Sequence, residues 1–331
     1  MLTWPVAGTD WEPILEEAER TFVNLASEIL KRERLVIVCS DPEKTARHFS
    51  ADQLQHIRFV QLPYNDTWAR DHGPVCTFST GIPTINDFGF NGWGNKFDAR
   101  SDDQVTSGLV ASRLFSAEVQ YRDHRDFILE GGSLESDGEG TLLTTTACLL
   151  NPNRNPTLSR TEIEARISRE LGTDRFLWLE HGHIEGDDTD SHIDILARFC
   201  DENTIAYVQC TDPADSHYTE LRKMEEQLRS FTRKDGQPYR LVPLPMVSPL
   251  YDEEGGRLGA TYANFLILNG AVLLPVYEAP EDEKAVEILT SLFPGREVVP
   301  VNCLSLIRQN GSLHCVTMQI PRGFLAEISR D

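Results

Sequence analysis

The sequence predicts an α/β fold built from about five copies of one small unit, arranged as a ring with strand ends facing a central axis. Three features predict it. Short apolar runs of strand length come in pairs joined by turn residues, an amphipathic stretch of helical period follows each pair, and another apolar run closes the unit. The period is about 50 to 70 residues, with little identity between copies, so what repeats is the pattern. No Pro-, Gly- or Ser-rich linker divides the chain, which is therefore expected to form one domain over residues 1–331. A doubly wound open sheet is the alternative. It lacks the Gly-rich strand-to-helix turn of a dinucleotide site, because Asn91-Gly92-Trp93-Gly94-Asn95 has neither the spacing nor the flanks.

Each element follows from its residues. Residues 12–19 and 281–287 carry acidic side chains on the polar faces of amphipathic helices. The apolar run 57–62 reads as a strand that ends in the crowded corner Asn65-Asp66-Thr67-Trp68-Ala69-Arg70-Asp71-His72-Gly73-Pro74, which opens one unit. Residues 126–150 form a hairpin around Asp137-Gly138-Glu139-Gly140, then a helix at 159–171 and a strand at 176–179. The next copy begins with a strand at 192–199, returns at 204–208, and continues as a helix at 215–231 and a strand at 240–244. Residues 262–268 and 271–276 flank Asn269-Gly270, a strong two-residue hairpin signal, before a helix at 281–293 and a strand at 297–301. The last unit begins near Cys303 and includes an expected strand within 311–320.

Bulk composition excludes several classes. The chain carries 31 basic and 52 acidic residues, a formal charge of −21, which argues against nucleic acid because phosphates need a basic face. No apolar run reaches the length of a membrane span, and the first residues lack the basic-then-apolar pattern of a signal peptide. Seven scattered cysteines without a Cys-x-x-Cys suit a reducing cytoplasm, and Cys39, Cys148 and Cys210 read as plain buried residues.

The unit corners supply the candidate chemistry. They offer Asp71, Glu130 before Gly131-Gly132, His192 with Asp194, and His314 with Cys315. On a strand, His192 and Asp194 share one face and so one ligand. Adjacent glycines permit positive φ or close backbone approach beside Glu130. A corner cysteine beside a histidine is a candidate nucleophile, since the thiolate is the reactive species. Each has a plainer reading: a solvated loop, an ordinary tight turn, a surface pair, an inert core cysteine. The acidic run 185–190 with His181, His183 and His192 fits neither an EF-hand nor a zinc helix pattern, so no metal is expected. Trp93 either walls a pocket or anchors its own loop.

Taken in order, these segments resemble the agmatine deiminase and bacterial (Porphyromonas-type) peptidyl-arginine deiminase family of guanidine-modifying penteins. The resemblance runs nearly end to end. It rests on Thr3-Trp4, Trp11-Glu12-Pro13, Trp68-Ala69-Arg70-Asp71-His72-Gly73-Pro74, Asn91-Gly92-Trp93-Gly94 and Glu130-Gly131-Gly132-Ser133. It continues through Asp187-Asp188-Thr189-Asp190-Ser191-His192-Ile193-Asp194 with Ala197-Arg198-Phe199, and ends at Asn310-Gly311-Ser312-Leu313-His314-Cys315-Val316-Thr317. It implies a five-bladed α/β propeller of ββαβ units with pseudo-five-fold symmetry. It also implies Cys315 as nucleophile, His192 as general acid/base, Asp71 and Asp194 as guanidinium ligands, and Glu130 as the group orienting His192. Arg70 and His72 would be supports.

The implied reaction needs no cofactor. A carboxylate grip on a planar guanidinium fixes its carbon near sulfur, and the cation favours thiolate over thiol. Agmatine is the expected substrate, giving N-carbamoylputrescine and ammonia, with Trp93, Glu185 and Asp188 expected to meet its amine end. Arginine or peptidyl-arginine deimination is the alternative, and an amidinotransferase or methylarginine hydrolase of the same fold is a second. Exposed outer faces leave room for a homodimer. Three departures stand out: the chain starts at Thr3-Trp4 of the pattern, so the first unit is expected to have a frayed edge; Ser191 stands where Gly is expected; and Ile195 stands where a polar residue is common.

Overall fold

Fifteen strands group into five separate three-stranded sheets, taken in chain order, in a computed structural model that describes residues 1–327. Residues 328–331 of the expected domain lie outside that description. The first sheet holds β1 (Leu2–Thr3), β2 (Leu35–Cys39) and β3 (Ile57–Gln61). The second holds β4 (Val75–Ser79), β5 (Ile82–Gly89) and β6 (Gln120–Ile128). The third holds β7 (Glu135–Ser136), β8 (Thr141–Thr145) and β9 (Arg175–Leu179). The fourth holds β10 (Ala197–Asp201), β11 (Thr204–Gln209) and β12 (Arg240–Pro245). The fifth holds β13 (Leu266–Leu268), β14 (Ala271–Val276) and β15 (Glu297–Asn302).

The last four sheets share one plan, an antiparallel pair followed by a parallel partner. The parallel step needs a crossover, and helices supply it. Ser159 caps Arg160–Leu171 through a capping box with Glu162, and Gly172 ends that helix at φ +76. Tyr218–Ser230 and Asp282–Leu292 make the corresponding crossovers in the fourth and fifth sheets. At Asn269-Gly270 the hairpin turns in two residues, pairing Leu268 with Ala271, with Gly270 at φ +71. The first sheet differs. A helix, Leu15–Leu30, already separates β1 from β2, so that pair is parallel as well. Its Ala18, Phe22, Leu25, Ala26 and Ile29 form one buried face, each larger side chain worth roughly 1.5–3 kcal/mol of burial. Leu2 and Thr3 are fully buried in the sheet.

Three expected strands differ. Residues 192–196 do not extend: Ile193–Ile195 is a turn of 3₁₀ helix, and the strand starts only at Ala197. The alternation His-Ile-Asp-Ile imitates a strand, but both isoleucines are buried within one tight turn. Residues 311–320 form no strand either. They run irregularly past the sheets, and their backbone reaches the first sheet where Met318 N donates to Met1 O at 3.1 Å. In the 262–268 run only Leu266–Leu268 pairs as a strand.

Candidate active site

The corner after β3 is a short helix, Ala69–His72, whose side chains are all buried. Arg70 fixes it against the 311–320 segment: its backbone N donates to Cys315 O at 3.0 Å, its Nε to His314 O at 3.4 Å, and its guanidinium to Gln319 Oε1. His72 is tied to Thr3 by a 3.0 Å hydrogen bond, and burial lowers its pKa to about 4. Both residues therefore support the corner. Asp71, between them, accepts from Gly132 N at 2.9 Å through Oδ1 and from Trp93 Nε1 at 3.1 Å through Oδ2.

Gly132 permits this contact through space, not through an unusual φ. A Cβ there would lie 2.5 Å from His192 Nδ1 and 2.9 Å from Asp71 Oδ1. The Trp93 loop uses the other property of glycine. Gly92, Trp93, Gly94 and Asn95 all have positive φ, with Trp93 at +54. A tryptophan in that region carries roughly 1–2 kcal/mol of backbone strain. The strain is offset where its ring closes one wall of a cavity and its indole N–H holds Asp71.

That cavity encloses about 540 Å³ of non-atom space including its mouth, and gathers Asp71, Trp93, Asp188, His192, Asp194 and Cys315. Burial of His192 is nearly complete; its Nδ1 lies 3.6 Å from Asp71 Oδ1, and its Nε2 has no hydrogen-bond partner among the described residues. Desolvation, then the Arg154 charge, pushes the imidazole well below its ordinary pKa and so favours the neutral ring. The two residues of the His192/Asp194 pair do not share a strand face. His192 turns toward Asp71, while Asp194 accepts from His314 Nδ1 at 2.7 Å. Oδ1 of Asp194 is buried without a hydrogen-bond partner among the described residues. Burial raises its carboxyl to about 7 even though Arg198 and Arg70 pull the other way. Asp71 is raised well above the carboxylate range, by burial first and by Asp194 second. Cys315 is buried, its Sγ 3.4 Å from Asn264 Oδ1, and desolvation plus the two aspartates push its thiol well up.

Asp188 lies at the mouth, accepts from Asn310 at 3.2 Å, and is raised to about 6 by burial and by Asp187. Glu185 does not line the cavity; its backbone N is held by His217 Nε2 at 2.8 Å behind the loop. Glu130 is fully buried but lies outside the lining, bound through both oxygens to Arg154 Nε at 2.9 and 3.0 Å. Glu130, Cys148 and His192 each bring a ligand-type atom within 4.8 Å of the others. Arg154 supplies the positive charge that this group would otherwise seek, and also holds Asp190 at 2.6 Å and Thr189 O at 2.9 Å. Ser191, where Gly was expected, has φ +63, and Asp190 before it +66, which is why a glycine suits the position.

Sequence reasoning missed two residues. Arg154 left no signal beyond its place in the turn-rich 151–156 segment. Asn264 is a lone amide in an apolar run, fully buried, accepting from His314 N at 2.8 Å and Cys315 N at 3.4 Å. That isolation in the run was the available clue.

Six aspartates line the cavity (Asp10, Asp66, Asp71, Asp187, Asp188 and Asp194), and among the described residues no lysine or arginine does. Asp66 is occupied structurally, accepting from the indoles of Trp11 and Trp68 at 2.8 and 2.9 Å. The innermost two, Asp71 and Asp194, have no Lys or Arg within ion-pair distance among the described residues. Fold and site together define a thiol-centred α/β protein with a buried, cation-deficient pocket.

The chain belongs to the Porphyromonas-type peptidyl-arginine deiminase family, whose sequence pattern matches residues 1–321. It is 34% identical over 340 residues to a Vibrio parahaemolyticus protein provisionally named an agmatine deiminase, covering 97% of this chain and 93% of that one. Among solved structures, a Porphyromonas gingivalis protein provisionally named an arginine deiminase is 52% identical with a TM-score of 0.95, covering 98% and 96% of the two chains. A cysteine-to-serine variant of C. jejuni agmatine deiminase with substrate bound is 39% identical with a TM-score of 0.88, covering 96% and 91%. A dimethylarginine dimethylaminohydrolase, 13% identical with a TM-score of 0.50, shows a related α/β fold only.

Proposed function

We propose that this chain is an agmatine deiminase, a hydrolase that converts agmatine and water to N-carbamoylputrescine and ammonia through a covalent thiouronium on Cys315. The observation that carries the reading is the pair of buried carboxylates, Asp71 and Asp194, lining one cavity with Cys315 and, among the described residues, with no Lys or Arg within ion-pair distance. Two desolvated carboxylates repel each other, and a planar cation between them relieves both the repulsion and the upward pKa shifts. The same cation lowers the pKa of the neighbouring thiol. The thiol proton passes to His192 and sulfur attacks the guanidinium carbon. His192 returns the proton to the departing nitrogen, which leaves as ammonia. Water then attacks the thiouronium, His192 takes its proton, and collapse releases the ureido product and Cys315. Well-placed proton transfer of this kind is worth about 10²–10⁴-fold. Glu130 acts with Arg154 beneath His192, holding the loop that carries it.

The acidic lining favours a substrate whose far end is an amine. The carboxylate of free arginine would meet an acidic lining with Asp187 and Asp188 and, among the described residues, no lysine or arginine; Lys96, beside it, is already engaged by Asp190 at 2.8 Å. Arginine or peptidyl-arginine deimination is the second reading, favoured by the 52% identity to the P. gingivalis protein. Turnover of purified agmatine, arginine and arginyl peptides separates the two: equal or faster citrulline formation overturns the agmatine assignment. Cys315→Ser is expected to abolish ureido product, and unchanged product formation rules out the nucleophile.

We further propose that the five sheets are blades of one catalytic domain around this cavity. The strand plan that four of them share supports it, as does the way lining residues come from segments next to different sheets. No helix among the described residues is long and apolar enough to cross a membrane. Seven free cysteines fit a reducing cytoplasm.

A further inference from the structure

We propose that His314 is a positioning residue: Arg198 locks its ring in the Nδ1–H tautomer, the ring engages Oδ2 of Asp194, and Oδ1 is left as the unpartnered oxygen that Asp194 turns to the substrate. The inference rests on the reading of Asp194 as a guanidinium ligand.

The argument starts from donor and acceptor inventories. Arg198 NH2 lies 3.2 Å from His314 Nε2. A guanidinium has donors only, so Nε2 must accept and carries no proton. The other ring nitrogen, 2.7 Å from Asp194 Oδ2, must then be the donor. A protonated ring would set an N–H against an N–H at Nε2, so the ring stays neutral. Arg198 is itself fixed. Its Nε donates to Glu135 Oε2 at 2.7 Å, its NH1 to Ala263 O at 3.0 Å and Phe265 O at 2.8 Å, and its guanidinium lies 4.8 Å over the Phe265 ring. Glu135 Oε1 accepts from Phe199 N at 2.8 Å. Every member is buried, from Glu135 at 7% exposure to Asp194 at 0%.

The relay thus starts on β7, crosses to β10, touches the segment before β13, and ends at the residue preceding Cys315. It fixes carboxylate and sulfur in one frame. It also orders the expected grip: Oδ2 already accepts one hydrogen bond and Oδ1 none among the described residues, so Oδ1 is the first acceptor open to a guanidinium N–H. Because the donated hydrogen bond stabilises the charged carboxylate, its loss raises the pH at which Asp194 becomes charged.

The test compares His314→Phe, which removes the donor, with His314→Asn, whose amide nitrogen can stand in for Nδ1. With agmatine as substrate, His314→Phe should lower kcat/KM at least tenfold and move its acid limb up by about one to two pH units, the shift implied by one charge-assisted hydrogen bond. His314→Asn should keep the limb within about half a unit of the parent. Equal losses in both variants with an unmoved limb would reduce the ring to packing and overturn the proposal. A second measurement needs no stable variant beyond assignment of the signal. The ¹⁵N shifts of the His314 ring in the parent protein should show a protonated Nδ1 and a bare Nε2, with no titration between pH 5 and 9. The opposite tautomer, or a titrating ring, overturns the relay. If the parent turns over no guanidinium substrate, the functional reading fails, while the tautomer still decides the relay.

Discussion

Replacing Gly132 by alanine adds one methyl group directly against two cavity residues, His192 and Asp71. The backbone there does not have positive φ, so alanine meets no conformational penalty of its own. Its Cβ would lie 2.5 Å from His192 Nδ1 and 2.9 Å from Asp71 Oδ1, so the imidazole must retreat by about 1 Å to reach ordinary contact. His192 cannot rotate freely away, because its backbone N is held by Thr189 Oγ1 at 3.1 Å and its loop by Arg154. A displacement of about 1 Å in a reacting group costs about 10²-fold in rate, and overpacking costs about 1–3 kcal/mol in stability. Gly132→Ala is therefore expected to fold with a modestly lower Tm and to lose about 10²-fold in kcat on agmatine, with a smaller effect on KM. Steady-state kinetics and thermal unfolding measure both. Gly138→Ala is the control: at φ +76 with nothing within 4 Å, it should cost about 1 kcal/mol of stability and leave kcat unchanged. A Gly132→Ala enzyme within threefold of the parent would refute the claim that this gap sets the His192–Asp71 spacing.

Two other outcomes follow from the same geometry. Asp194, raised in the fold to about 7 from an ordinary value near 3.8, favours the folded state below pH 4 and loses that contribution as pH rises through 7, on the order of 4 kcal/mol in the limit. The parent should thus lose stability relative to Asp194→Asn between pH 4 and 7, and agmatine should bind Cys315→Ser less tightly as pH falls below 7; affinity flat from pH 5 to 8 contradicts this. Ser191→Gly should relieve the φ +63 strain at the small entropic cost of glycine, a net gain of about 0.5 kcal/mol, or about 1 °C in Tm, and a lower Tm would show that the hydroxyl matters more than the backbone.

Sequence reading reached the cavity through its corners, and the reasons are physical. Trp93 is flanked by glycines, and Asp71 and Cys315 lie within two and four residues of one, marking where the backbone must bend or approach closely; such punctuation survives in a single sequence. The strand plan was legible because period-two and helical apolar patterns reflect burial, which four of the five sheets obey in the same order. What failed was whatever depends on partners distant in the chain. Glu185 looked like a ligand because it is acidic and adjacent, yet its place is set by His217, more than thirty residues away. The ion pair of Glu130 with Arg154 was invisible because nothing local distinguishes an arginine that faces a buried carboxylate from one that faces water. The His192–Asp194 strand was misread because 3₁₀ geometry in Ile193–Ile195 is imposed by packing, not by propensity.

The 311–320 segment has one more consequence. Beyond one local turn, in which Thr317 N donates to His314 O at 3.0 Å, it borrows its order: from Arg70, from Asn264, from Asp194 through His314, and from the first sheet. None of those anchors is near it in sequence, and no ladder of its own would form in isolation. The thiol environment can therefore be complete only after residues from several separate sheets have docked. Cys315 is a built-in clock of assembly, and the moment at which it becomes shielded during refolding dates the end of the process, not its beginning.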